Sequence, residues 1–310
     1  MTNKSKIRIL FMGTPKFAVP SFLNLHQNPD FEIVLVISES DKPANRDQKI
    51  QKPEIAKLAK KLGYEVFQPE SLKNIKVIKE ILRYKPNIII TVAYGKFLPR
   101  QLLKKTINLH PSLLPKYRGP SPIQSAILAG DKKTGVSILL SDEKMDHGPI
   151  LTQKQITIKA NDTYLSLSEK LAKNGAKLLS DTTKKYFAGE IKPKFQDHKK
   201  ATICKLIKKQ NGKLDFSKPA EILEREVHAY FPWPSTFFVT KINNQNKQIK
   251  ILESSAIKQP NRKIKIGGLY STNKKDLFIN CKKGALQILK LQIEGKSPIS
   301  ASDFINGYLK

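Results

Sequence analysis

The chain has 310 residues, and 56 Lys and Arg against 26 Asp and Glu leave a formal charge of +30 at neutral pH. A hydrophobic fraction of 39% with 14 Phe and 9 Tyr excludes a disordered chain, and the length suits two domains. No stretch reaches the roughly 20 apolar residues of a membrane span, and Cys204 and Cys281 suggest neither a disulfide framework nor a metal cage, so a reducing, cytoplasmic setting is expected.

Read in chain order, residues 7–12 form a first strand, punctuated by Gly13, Thr14 and Pro15 too early for a signal peptide. Apolar, β-branched runs at 33–37, 65–67, 88–93, 107–109 and 136–140 predict further strands, several apolar on both faces. Helical spacing at 19–26, 53–62 and 75–84 falls between them. Strand alternating with helix predicts an α/β fold, a doubly wound, mostly parallel, Rossmann-like sheet with its site at the strand carboxyl ends.

Residues 150–158 alternate like an antiparallel edge strand, and a long helix is predicted over 163–187, ending before Gly189. The polar stretch that follows reads as a linker. After it come a helix near 219–230 and short strands at 237–241, 248–252, 263–266, 277–279 and 285–292, the pattern of a small OB-like β-barrel. The expected division is a catalytic domain over 1–189, a linker over 190–207 and a C-terminal domain over 208–310. The run 231–234, Phe-Pro-Trp-Pro, is read as a structural plug between helix and barrel.

The charge divides as +18 over residues 1–204 and +12 over 205–310, and 49 of the 56 cations are Lys. A field of this size attracts polyanions, and nucleic acid is the commonest. General drift toward Lys would give the same composition without a selected partner.

No GxGxxG or GxxxxGK[ST] phosphate cradle is present, and no histidines pair at metal spacing. One region stands apart. Asn108 and His110 lie two apart in a short strand, so their side chains share a face next to a Pro-rich loop, and Asp146 follows 36 residues after His110. An amide can donate to a carbonyl oxygen, an imidazole can stabilise an oxyanion or shuttle a proton, and a carboxylate can hold that imidazole. The same three residues also fit a plain alternative of turn Asn, capped loop His and turn Asp.

Asn108, His110, the run Ser112, Leu113, Leu114, Pro115, then Arg118-Gly119 and Asp146 resemble the folate-dependent formyltransferase family. The opening 11–20 and the run 227–234 resemble those members that act on aminoacylated tRNA. The resemblance implies formyl transfer from 10-formyltetrahydrofolate to the α-amino group of methionine on initiator methionyl-tRNA, for translation initiation, with no metal; a monomer is expected. It implies that Asn108 and His110 bind the oxyanion, that Asp146 orients His110 and moves a proton, and that Ser112, Leu113, Leu114 and Pro115 line the folate pocket. It also places a tRNA-binding loop over 38–52, with Arg46 as the contact, and makes Lys205, Lys208 and Lys209 candidate phosphate contacts. Family members often set that Arg between glycines, whereas Asn45 and Asp47 flank it here.

Overall fold

A computed structural model describes residues 5–44 and 49–309. Arg46 lies outside the described residues. The chain separates into two compact units. The first holds the chain up to Pro122 together with Lys133–Thr157 and Ser168–Cys204; the second holds Ile123–Lys132, Ile158–Leu167 and the chain from Lys205.

In chain order the elements up to residue 187 are β1 (Ile7–Gly13), α1 (Val19–Gln27), β2 (Phe31–Ile37), β3 (Lys42–Ala44), β4 (Lys49–Gln51), α2 (Glu54–Lys61), β5 (Val66–Phe67), α3 (Ile75–Arg83), β6 (Ile88–Val92), α4 (Arg100–Leu103), β7 (Thr106–His110), α5 (Pro122–Ala129), β8 (Lys133–Leu140), β9 (Ile150–Thr157) and α6 (Tyr164–Phe187). The main sheet has seven strands in the order β5-β2-β1-β6-β7-β8-β9. Its first five strands are parallel, while β8 and β9 are antiparallel additions at one edge.

The two-residue period of a strand explains why both faces are apolar. Ile9 and Phe11 of β1 point into one core with Phe22 of α1, Ile55 of α2 and Leu179 of α6, while Leu10 and Met12 point into the other with Ile78 and Ile81 of α3. Fully burying each such side chain contributes about 1.5–3 kcal/mol. Strand order reverses direction between β1 and β6, which opens a crevice at their carboxyl ends.

The second unit adds α7 (Ala220–Tyr230), β10 (Thr236–Ile242), β11 (Gln245–Ile257), β12 (Leu269–Ser271), β13 (Leu277–Asn280), β14 (Ala285–Ile293), β15 (Pro298–Ser300) and α8 (Ala301–Tyr308). These strands form one antiparallel sheet, in the order β10-β11-β14-β13-β12 with β15 paired to β14. Leu223 and Val227 of α7 and Phe304 of α8 bury against Ile249, Ile251, Ile288 and Leu291 of that sheet. The sequence expectation of a strand at 263–266 fails: Ile264 N donates to Asn261 O in a turn, and the strand starts at Leu269, after Gly267 and Gly268. Turn chemistry overrides the alternation of Lys263-Ile264-Lys265-Ile266 there.

The plug reading of the 231–234 run also needs correcting. Trp233 is 58% exposed, whereas Pro234 and Ser235 are buried. No helix among the described residues is long and apolar enough to cross a membrane.

Candidate functional site

At the crevice, the chain just after β1, the run 93–98 after β6, Pro111 after β7 and the loop 141–148 after β8 line a cavity of about 580 Å³. That volume suits a ligand of cofactor size. Tyr94, Phe97, Leu98, Leu139 and Met145 give it apolar walls, and Asn108, His110 and Asp146 give it one polar wall.

Asn108 and His110 share a face of β7 because they are two residues apart, while Ile107 and Leu109 on the other face anchor the strand in the core. The β8–β9 connection returns Asp146 to that face. Asp146 Oδ1 lies 3.3 Å from Asn108 Nδ2, which donates to it, and 3.4 Å from His110 Nδ1. Its Oδ2 accepts from Gly119 N at 2.8 Å. The structure thus brings together the three residues singled out in the sequence, with His110 4% exposed.

Each of the three is held from behind. Thr91 Oγ1 donates to Asn108 Oδ1 at 2.8 Å, so the amide must aim its NH2 group toward Asp146. His110 Nε2 donates to the carbonyl of Tyr117 at 2.8 Å, which leaves Nδ1 facing the carboxylate. Asp146 itself has φ 51°, and Gly119 has φ 112°, where a Cβ would sit 2.7 Å from Cys204 O. Only glycine fits at 119.

The run 112–115 does not line the cavity. Ser112 Oγ donates to Lys116 O at 2.6 Å, Ser137 Oγ donates to Ser112 O at 2.6 Å, and Leu114 N donates to Ser137 Oγ at 3.1 Å. Gln153 Nε2 donates to Leu114 O at 2.9 Å. These bonds fix the turn that follows Pro111. Lys205, Lys208 and Lys209 are exposed.

Several participants were given no role in the sequence, Arg118 standing there only as part of the motif. Arg118 is buried, donating through Nε and Nη2 to Gln196 Oε1 at 3.2 and 2.7 Å and through Nη2 to His198 Nδ1 at 2.8 Å. His198 stacks on His147, with centroids 4.0 Å apart, and His147 Nδ1 is 2.5 Å from Asp142 Oδ2. Desolvation, followed by the charges of His147 and Arg118, holds the His198 imidazole below its ordinary pKa. Burial and the nearby Glu39 carboxylate push the Tyr94 phenol up to about 12. The span 194–204, read as linker, is bonded to the first unit: Lys194 pairs with Ile150, and Thr202 and Cys204 pair with the 115–118 segment. Among the described residues no cluster of His, Cys, Asp or Glu could hold a metal ion.

Residues 5–183 match the family described as Formyl transferase, and residues 206–309 match the Formyl transferase, C-terminal domain. A Methionyl-tRNA formyltransferase of Thermodesulfovibrio yellowstonii is 39% identical, over 96% of this chain and 95% of its own. That of Myxococcus xanthus is 37% identical, over 98% and 96%. Among solved structures, the sugar 3N-formyl transferase WlaRD aligns with a TM-score of 0.66 at 21% identity, over 94% of this chain and 100% of that one, which is a likeness of fold.

Proposed function

The chain belongs to the formyl transferase family, and we propose that it transfers the formyl group of 10-formyltetrahydrofolate to the α-amino group of methionine on initiator methionyl-tRNA. The observation that carries this reading is the convergence of Asn108 Nδ2 and a His110 ring nitrogen on one oxygen of Asp146, inside a cavity of folate size. Two donors aimed at one point are what a developing oxyanion requires.

The cavity fits the donor. Its apolar wall, with Tyr94, Phe97 and Leu98, suits a flat ring, and its polar wall lies where the reacting formyl group would need it. The run Ser112, Leu113, Leu114 and Pro115 supports the folate by fixing the backbone after Pro111. Folate supplies an activated formyl group on nitrogen.

The protein's own residues then divide the work. Asp146 takes a proton from the substrate ammonium, freeing the amine to attack the formyl carbon. Asn108 Nδ2 and the His110 ring hold the charge that builds on the formyl oxygen. As the bond from the formyl carbon to the folate nitrogen breaks, that nitrogen needs a proton, which His110 or Asp146 returns. Between ammonium and amide the attacking nitrogen gives up two protons, one ending on the folate nitrogen and the other leaving to solvent, while one N–C bond is made and one broken.

In this reading the chemistry belongs to the first unit, whose compact part runs on to Cys204, and the basic C-terminal domain over 208–310 engages tRNA, with Arg46 as a contact from the catalytic domain. The enzyme is read as a cytoplasmic monomer. Transfer of labelled formyl from 10-formyltetrahydrofolate to methionyl-tRNA tests the proposal. Formylation of an amino-sugar nucleotide in place of methionyl-tRNA overturns it.

A further inference from the structure

The formyl-transfer chemistry depends on where the Asp146 carboxylate sits, yet Asp146 occupies a backbone conformation that side chains rarely adopt, with φ 51°. Such a conformation persists only where its surroundings hold it. Gly119 N holds the carboxylate from one side, through Oδ2. The main chain is held by a residue 50 positions further on. Gln196, 6% exposed, donates through Nε2 to Asp146 O at 2.9 Å and to Gly148 O at 2.7 Å, and so spans the turn on both sides of His147.

The orientation of that amide is not free. Its Oε1 accepts from both Nε and Nη2 of Arg118, and a guanidinium can only donate, so the NH2 group must face the two carbonyls. Arg118 and Gly119 are adjacent in sequence. One dipeptide therefore secures Asp146 twice, directly at the carboxylate and, through Gln196, at the backbone.

We propose that Gln196, clamped by Arg118, is a positioning residue for formyl transfer: it keeps Asp146 Oδ1 at the point where Asn108 and His110 converge. Gln196 bonds to the backbone of Asp146 and Gly148 and not to Asn108 or His110, so it acts on them only through the placement of Asp146. The role rests on the formyl-transfer reading of the site.

Gln196→Glu tests it. The carboxylate keeps a partner in Arg118 but turns an oxygen on the two carbonyls, so the 146–148 turn must shift. Displacements of about 1 Å at a reacting group cost on the order of 100-fold in rate. The expected result is a kcat lowered roughly 10- to 100-fold, with KM for folate and for methionyl-tRNA each within about twofold of wild type. A purely structural role would lower the thermal midpoint and leave kcat per folded enzyme unchanged, and that result overturns the proposal. If Gln196→Glu does not fold, Gln196→Met, of similar length and unable to donate, reads the same split. Should wild type fail to formylate methionyl-tRNA, the functional reading falls while this inference is read from the crystal structure of the variant. A carboxylate of Asp146 moved away from Asn108 and His110 supports it, and one left in place overturns it.

Discussion

Asp146 uses its two oxygens differently, and the division explains why a carboxylate is needed there. Oδ2 accepts from the backbone of Gly119, while Oδ1 meets Asn108 and His110. In Asp146→Asn the single carbonyl oxygen would stay with Gly119 N, and the new NH2 group, able only to donate, would face the NH2 group of Asn108. We expect kcat to fall by roughly 10²- to 10³-fold with the fold retained, as read by steady-state kinetics and circular dichroism. Activity within about threefold of wild type would contradict the role. Asn108 and His110 stood out in the sequence as polar side chains on one face at the end of an apolar strand, but they fitted a turn Asn and a capped His equally well, and it was the family motif, with Asp146 36 residues after His110, that decided between the readings. Thr91 and Gln196 did not stand out, and Arg118 stood in the motif without its role being readable. Each acts by a hydrogen bond across 17 to 78 positions of sequence, and a buried Gln or Arg looks the same in sequence as a solvated one.

The β8–β9 loop is the element that completes the site, and Gly148 sets its path. A Cβ at 148 would lie 1.9 Å from Leu140 O and 3.0 Å from Leu140 C, at the end of β8, where only backbone movement can relieve it. Gly148→Ala is expected to destabilise the protein by about 2 kcal/mol, lowering the thermal midpoint by roughly 5 °C, and to reduce kcat because the same turn carries Asp146. A variant with unchanged midpoint and unchanged kcat would show that the loop absorbs the methyl group. The parallel strands were readable because their residues are apolar on both faces, which few other structures require. The hairpin of β3 and β4, α4 and α5 were not read, being short or polar, and the turn at 261–268 was misread because Lys and Ile alternate there. The positions of Asn261, Gly267 and Gly268 were the better guide.

Both parts of the whole molecule are basic, +18 over residues 1–204 and +12 over 205–310, so the attraction to a polyanion is distributed and not confined to one patch. Neutralising phosphates releases counterions, and binding weakens steeply as salt rises. KM for methionyl-tRNA is expected to rise at least about 10-fold between 50 and 200 mM salt, with KM for the folate changing a few-fold at most. Equal salt dependence of the two would count against a charge-driven tRNA surface. The measurement that bears most directly on the account is acid-precipitable formyl transfer from 10-formyltetrahydrofolate to methionyl-tRNA by wild type and by His110→Ala. The account predicts transfer by wild type and a loss of at least about 10²-fold in the variant; equal rates in the two, or no transfer by wild type, would contradict it.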